Sequence, residues 1–427
     1  MKSILFRNVR IIDRNSPHHG QTVDVLLEAG KITRIGSGID ASGIDADSIC
    51  EGHFLSPGWI DMRVHLTDPG KEYKEDLSSL ARAGQRGGFT ALVTLPNTQP
   101  LIGDHGQVKA LLSRAADLPL QILPTGILSE GLHGKDLADA YDMHQAGAVA
   151  FTDGLHSITS PGMLLRALQY LKAFNGLVMD APLLENLVPG AEVGEGVSST
   201  RIGLKGLPAL AESLAVERDL QIMDYFPGRL HLGPITTKAS LDRIRQIKGK
   251  FPELSVETSV YYLAENETAI ESFDVNTKVW PPLRTEEDRC ALWEGLADGT
   301  IDVVSSNHHP QSVEEKKHDF VRAEYGASLV EVAFSAARKA QLESKGKSSL
   351  EDLVASFSTG PAGALKLNNR VIEEGNALDL TWFDPELVHS LNAKELVSKG
   401  KNNPFAGKSL TGKALATVYK GLLIPCP

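Results

Sequence analysis

Ile60-Asp61-Met62-Arg63-Val64-His65-Leu66 is the stretch from which the fold of this chain can be worked out. It is predicted to be a buried strand, and strand side chains alternate, so residues 63 and 65 point to the same face. Two histidines at this spacing are a common way to hold a divalent metal at the mouth of a barrel. Here the first of the two is Arg63, which is always cationic and has no lone pair to give a metal.

A short apolar strand, a polar or glycine turn and a helix recur along the central part of the chain. The predicted strands are Ile60–Leu66, Thr90–Leu95, Leu120–Pro124, Ala148–Thr152, Gly176–Met179, Arg229–Leu232, Leu254–Val260 and Ile301–Ser305. The predicted helices between them include Lys74–Arg86, Met163–Ala173, Leu207–Arg218 and Ser240–Lys248. Alternation alone also fits an open doubly wound sheet, but the count of eight strands favours an α/β fold of the (β/α)8 TIM-barrel type.

Both ends of the chain differ from this central pattern, because they are rich in strand-like segments. Before the barrel these are Ser3–Ile12, Thr22–Ala29 and Lys31–Ile35, and after Arg370 they are Ala377–Phe383 and Ala414–Tyr419. We predict one small β-sandwich domain built from residues 1–54 and 371–427. The barrel would then occupy residues 55–370.

Composition narrows the class of protein. The chain has 427 residues, 42% of them hydrophobic, which is ample for a large core, and its formal net charge is −11. This charge argues against a nucleic-acid partner or an anionic membrane surface. The three cysteines lack short spacings and suit a reducing compartment, and no apolar run approaches the roughly 20 residues of a membrane span. A cytoplasmic protein is expected.

Several further motifs lie in a distinctive order. They are Pro57-Gly58-Trp59-Ile60-Asp61, Lys74-Glu75-Asp76, Gly87-Gly88-Phe89-Thr90, Leu95-Pro96-Asn97-Thr98, Pro281-Pro282-Leu283-Arg284, Trp293-Glu294-Gly295-Leu296 and Ile372-Glu373-Glu374-Gly375. With these motifs the chain resembles, from end to end, the dihydroorotases of the amidohydrolase superfamily, in the branch that also holds allantoinases and hydantoinases. Each motif alone is weak, but together they are specific.

The resemblance implies one or two zinc ions that activate a water beside an aspartate base. The implied ligands are a His-x-His pair, a bridging carboxylate, two later histidines and an aspartate after the eighth strand. His65 and Asp153 match two of these positions. The other positions hold Arg63, Met179 or Asp180, Pro234, and Asn307 at the place of the catalytic aspartate.

The substrate pocket implied by the resemblance is altered as well. Thr67 stands where an arginine would bind the substrate carboxylate, Trp280 replaces an asparagine, and Asn97 is retained. The residues expected to line the altered pocket are Arg63, Thr67, Asn97, Asp180, Trp280 and His308.

These replacements predict that no metal centre of the family type forms. Proline has no side-chain donor, and an arginine about 4 Å from a divalent ion would repel it by roughly 8 kcal/mol at an effective dielectric of about 20. We expect Arg63 to take the metal position and pair with Asp153, and His65 to be a hydrogen-bonded barrel-mouth histidine. Zinc would require a rebuilt site, for example His308 and His309 with Asp180, but adjacent histidines on an extended segment face opposite ways.

Three functions are compatible with these features, and whether the chain is an enzyme is open at this point. The first is a non-catalytic dihydroorotase-like protein (a pseudoenzyme) of pyrimidine biosynthesis with a structural role, for which the resemblance points to aspartate transcarbamoylase as the partner. The second is an active zinc-dependent cyclic amide hydrolase with a rebuilt site. The third is a small-molecule sensor that kept the pocket and lost the chemistry. The resemblance also predicts a homodimer.

Overall fold

The computed structural model describes residues 3–344 and 346–427, and it contains eighteen strands and thirteen α-helices within those ranges. The strands are β1 Ile4–Ile11, β2 Thr22–Glu28, β3 Lys31–Gly36, β4 Ile49–Glu51, β5 Phe54–Pro57, β6 Trp59–His65, β7 Phe89–Leu95, β8 Gln121–Ile127, β9 Ala150–Thr152, β10 Leu177–Asp180, β11 Val193–Gly194, β12 Gly206–Leu207, β13 Arg229–Leu232, β14 Leu254–Ser259, β15 Val303–Ser305, β16 Leu380–Ser390, β17 Ser409–Tyr419 and β18 Leu422–Pro425.

The helices surround the central strands and connect them. They are α1 Leu77–Arg86, α2 His105–Arg114, α3 Ala140–Ala146, α4 Pro161–Lys172, α5 Val197–Ile202, α6 Leu210–Tyr225, α7 Lys238–Ile247, α8 Val260–Ala264, α9 Glu286–Ala297, α10 Val313–Lys316, α11 Ala333–Glu343, α12 Leu350–Phe357 and α13 Thr359–Leu365. In the described part of the chain, every helix is too short or too polar to cross a membrane.

Eight parallel strands form the central barrel, in the order β15-β14-β13-β10-β9-β8-β7-β6. The first and last strands meet where the Val64–His308 bridge forms, and the amide of His65 donates to the carbonyl of His308 at 2.9 Å, so the barrel is nearly closed. The predicted (β/α)8 fold is therefore confirmed. The last strand is shorter than expected, because it begins at Val303 rather than Ile301.

Local sequence explains where the helices of the barrel begin. Helix α1 starts at a capping box, in which the side chain of Asp76 accepts from the amide of Ser79 and the side chain of Ser79 accepts from the amide of Asp76. Helix α4 has Ser160 as its N-cap and Pro161 in its first turn, where the missing amide hydrogen of proline costs nothing. These two helices follow the loops after β6 and β9, and the candidate site lies on loops at this end of the barrel.

The two ends of the chain pair with each other in a second sheet. Its strand order is β18-β17-β16-β5-β1-β2-β3, and β4 pairs with β1. Strand β16 pairs with β5, so residues far apart in sequence become neighbours: Leu380 lies opposite Pro57. The combination of both termini in one β unit matches the prediction. The boundaries at 54/55 and 370/371 stay a prediction, and β5 runs across the first of them.

Candidate functional site

Arg63 crosses the barrel interior to Glu257, which lies on β14. The Nε of Arg63 donates to Oε1 of Glu257 at 2.8 Å, and its Nη2 donates to the carbonyl of Gly233 at 2.6 Å. Both side chains of the ion pair are almost wholly buried, with 3% and 0% of their surface exposed. The guanidinium is therefore held by a fixed set of acceptors and is not free in a pocket.

Glu257 is the centre of a buried polar network. Its Oε2 lies 2.8 Å from Nε2 of His231, and its Oε1 accepts from the hydroxyl of Ser305 at 2.7 Å. The Nδ1 of His231 in turn lies 2.8 Å from the hydroxyl of Ser255. Burial alone would raise the pKa of Glu257, but the charge of Arg63 and the hydrogen bond with His231 outweigh it and lower the pKa to about 2. Glu257 is therefore ionised at neutral pH.

The predicted pairing of Arg63 with Asp153 is wrong. Both carboxylate oxygens of Asp153 are directed at Ser129, which donates from its amide at 2.9 Å and from its hydroxyl at 2.6 Å. Ser129 lies just after β8, and Asp153 lies just after the neighbouring strand β9. Asp153 therefore ties two barrel loops together, and its buried charge is balanced by hydrogen bonds and not by the arginine.

The adjacent histidines His308 and His309 do diverge, as their extended backbone predicts. The ring of His309 stacks on that of His65, with centroids 4.0 Å apart and planes 8° from parallel. The Nδ1 of His308 instead accepts from the amides of Leu329 and Val330, at 3.0 and 3.3 Å. Its other ring nitrogen lies 3.6 Å from a carboxylate oxygen of the buried Glu75.

Loss of hydration holds the stacked pair of histidines in the neutral form. Burial, and next the neighbouring His309, keep the pKa of His65 well below its ordinary value of 6.5. Burial, and next the charge of Lys74, lower the pKa of His309 to about 3. Neither imidazole carries a charge at neutral pH, and each is packed face to face against the other.

A small cavity remains at the mouth of the barrel, with a volume of about 30 Å³. Its wall includes four of the predicted site residues, namely Arg63, His65, Trp280 and Asn307. The indole of Trp280 is fixed by a hydrogen bond from Nε1 to Oε1 of Glu185 at 2.9 Å. A cavity of this size has room for only a few water molecules.

Four other predicted pocket residues lie outside the wall of this cavity. The hydroxyl of Thr67 donates to the carbonyl of Glu75 at 2.7 Å, and Asn97 donates to the carbonyl of Asp153 at 3.4 Å. Asp180 accepts from the amide of Ile158 at 2.8 Å, and His308 is turned towards Leu329 as described above. The candidate replacement metal site of His308, His309 and Asp180 is therefore not brought together.

The residues present do not fit the zinc site that the resemblance implies. A guanidinium stands at the first histidine position, and Pro234, which lines the cavity, brings no donor at another. The carboxylate of Asp153 is occupied by Ser129. Within residues 3–344 and 346–427, no three side chains of His, Cys, Asp or Glu are grouped so that they could hold a metal ion.

Glu257 and His231 are the site residues that sequence reasoning missed. Both lie in segments that are predicted as strands: Arg229–Leu232, which matches the observed strand, and Leu254–Val260, which extends one residue beyond the observed Leu254–Ser259. A signal was present in each segment, because an ionisable side chain within a buried strand needs a partner. The rule requires a partner for Glu257 but does not say which residue it is, and the structure shows that it is Arg63.

Comparison with known proteins places the chain in a family. A family model described as dihydro-orotase-like matches residues 52–240. The dihydroorotase of Syntrophotalea carbinolica is 37% identical to it, over 98% of this chain and 98% of that protein. The dihydroorotase of Ruminiclostridium cellulolyticum is 36% identical, over 98% and 97% respectively. The chain belongs to the dihydroorotase family.

Solved structures agree with the fold of this dihydroorotase-family protein. The L-hydantoinase (dihydropyrimidinase) of Arthrobacter aurescens superposes with a TM-score of 0.85, at 24% identity, and covers 99% of this chain and 96% of its own. A dihydropyrimidinase from Brevibacillus agri superposes with a TM-score of 0.81 at 20% identity. At these identities the likeness concerns the fold alone.

Proposed function

We propose that this member of the dihydroorotase family serves pyrimidine biosynthesis in a structural role and does not hydrolyse dihydroorotate. The observation that carries the proposal is the buried ion pair between Arg63 and Glu257. It puts a fixed cation at a position where the family resemblance requires a metal ligand. The residue at the place of the catalytic base is Asn307, whose amide cannot accept a proton near neutral pH.

The size of the barrel-mouth cavity supports the same proposal. A cyclic amide with a carboxylate substituent needs several times the volume of one water, and the cavity is about 30 Å³. The indole of Trp280, locked to Glu185, forms part of its wall. A substrate of the family's size could enter only if this wall moved and the ion pair opened.

Hydrolysis is tested with purified full-length protein. Dihydroorotate cleavage and its reversal from N-carbamoyl-aspartate are assayed, and zinc is measured on the same sample. The dihydroorotase of Syntrophotalea carbinolica, prepared in parallel, is the positive control. We expect no turnover above the uncatalysed rate, with or without added zinc. Turnover that depends on zinc would instead support the active cyclic amide hydrolase.

We propose aspartate transcarbamoylase of the same cell as the structural partner, and a homodimer as the unit that assembles with it in the cytoplasm. The support is the family membership together with the intact barrel around an altered site. Co-expression followed by affinity purification and size exclusion should give a joint complex of constant stoichiometry. Separate elution of the two proteins at concentrations well above those in cells would contradict the assembly role.

A further inference from the structure

A second and larger cleft lies outside the barrel-mouth cavity. Its volume is about 360 Å³, and residues of its wall include Leu155, Glu185, Val188, Trp280 and Tyr325. Leu155, Glu185 and Trp280 also border the small inner cavity, so the indole of Trp280 stands between the two spaces. A volume of this size is in the range of sites for small organic ligands.

The wall of the outer cleft combines aromatic rings with apolar side chains. The rings of Trp280 and Tyr325 meet edge to face with their centroids 5.2 Å apart. Leu155, which also lines the cleft, is 39% exposed. Aromatic faces next to partly exposed apolar groups favour a ligand with an apolar or aromatic body.

The charge of the cleft is negative. Glu185 and Glu324 both line it, and Glu185 uses one carboxylate oxygen for the indole of Trp280. The side chain of Glu324 forms no ion pair with any residue that the structure describes. The wall therefore contains two glutamates and two histidines, His156 and His309, but no lysine or arginine.

Lys278 is a buried cation in contact with the ring of Tyr325, and its charge is already neutralised. The Nζ of Lys278 lies 2.9 Å from a carboxylate oxygen of Glu192 and 4.5 Å from the centroid of the Tyr325 ring. It is packed behind Tyr325, with only 2% of its side chain exposed. This contact shows that the ring of Tyr325 accepts a cation on one face.

We propose that the outer cleft binds a small organic cation, an amine or quaternary ammonium with an apolar or aromatic body. A cation over Trp280 or Tyr325 would gain cation–π attraction and the field of Glu185 and Glu324. An anion in the same place would face two carboxylates. This site uses none of the barrel-interior network, so it is independent of whether the chain hydrolyses dihydroorotate.

The test is calorimetric titration of the full-length protein with benzyltrimethylammonium chloride. Sodium benzoate and benzyl alcohol, matched in ring size, are titrated in parallel at the same ionic strength. We expect saturable binding of one cation per chain, weaker binding of the alcohol, and no binding of benzoate. Binding of benzoate at least as tight as that of the cation, or absence of cation binding, overturns the proposal.

Two variants of cleft residues test whether the cation binds in the outer cleft. Glu324→Gln removes an exposed charge without a structural partner and should weaken cation binding about two- to fivefold, as for an exposed ion pair. Trp280→Leu should weaken it about fivefold or more through loss of the cation–π contact. Glu314→Gln, an exposed glutamate outside the cleft wall, is the matched control and should have no effect. Unchanged binding by both cleft variants, when their thermal unfolding shows them to be folded, overturns the assignment.

Discussion

The guanidinium of Arg63 and the carboxylate of Glu257 have both been removed from water, so each depends on the other. An isolated ion in a barrel interior would cost several kcal/mol, and the pair offsets this through a 2.8 Å ion pair and hydrogen bonds to Gly233, Ser305 and His231. The arginine at position 63 is therefore more than the simple loss of a metal ligand. It comes with a partner on the opposite side of the barrel.

Arg63→Met should destabilise the protein strongly, because Glu257 would be left buried without its cation. We expect the free energy of unfolding to fall by roughly 3–5 kcal/mol, as for other broken buried pairs. Urea denaturation followed by circular dichroism measures it. Arg322→Met is the matched control, because that arginine is 79% exposed and pairs only on the surface with Asp319; its effect should be within about 1 kcal/mol.

The double variant Arg63→Met with Glu257→Gln sharpens this test. It removes both charges and keeps a polar group beside His231, so it should be more stable than Arg63→Met alone. Two outcomes would mean that the ion pair does not stabilise the buried network. One is a double variant that is less stable than Arg63→Met, and the other is an Arg63→Met variant that is as stable as the wild type.

Strand β10 and helix α6 meet at a second cluster of buried charged side chains. Asp180 ends β10, and Asp219 on α6 is wholly buried. Arg218 bonds Asp219 at 2.7 Å and reaches Asp180 at 3.4 Å. Burial, and next the charge of Asp180, raise the pKa of Asp219 well above its ordinary value of 3.8. One arginine thus serves two carboxyl groups, and Asp219 holds its proton to a higher pH than a free aspartate does.

Asp219→Asn should raise the free energy of unfolding at neutral pH. A carboxyl whose folded pKa is raised stabilises the fold below its unfolded pKa, and this stabilisation is lost as the pH rises towards the raised value. The neutral amide removes that loss and can still donate to Asp180. Denaturation across pH should therefore show a flatter profile than the wild type, and the two proteins should converge near pH 3.8.

Asp117→Asn, at an exposed loop position, is the control for this comparison and should follow the wild-type profile. If Asp219→Asn were less stable than the wild type at neutral pH, the carboxylate of Asp219 would be ionised and stabilised by Arg218, and the raised pKa would be contradicted.

The barrel strands were largely predictable, because each is a short apolar run bounded by polar or glycine turns. Arg229–Leu232 was predicted with its bounds as observed. The two-residue strands β11 and β12 were missed, since two residues carry no periodic signal. The partner of Arg63 was not predictable, because pairing across a barrel depends on strand register, and β6 has an irregular register between Asp61 and Val64.

The whole molecule keeps the barrel of the dihydroorotase family, and hydrogen bonds and an ion pair stand where the resemblance implies metal ligands. The cavity at its mouth has a volume of about 30 Å³, and a cleft of about 360 Å³ lies outside it. Stability that comes from side-chain contacts should not respond to chelators. Thermal unfolding in the presence and absence of a strong chelator should therefore give the same midpoint.

The most direct test of this account is the amount of zinc that the protein retains. Full-length protein is dialysed against zinc chloride, passed through a desalting column and measured by atomic emission, with the Syntrophotalea carbinolica dihydroorotase treated in parallel. Zinc should remain far below one ion per chain in this protein. Stoichiometric zinc that is lost in the His65→Ala and Asp153→Ala variants would contradict it, because the residual ligand positions would then form a working metal centre.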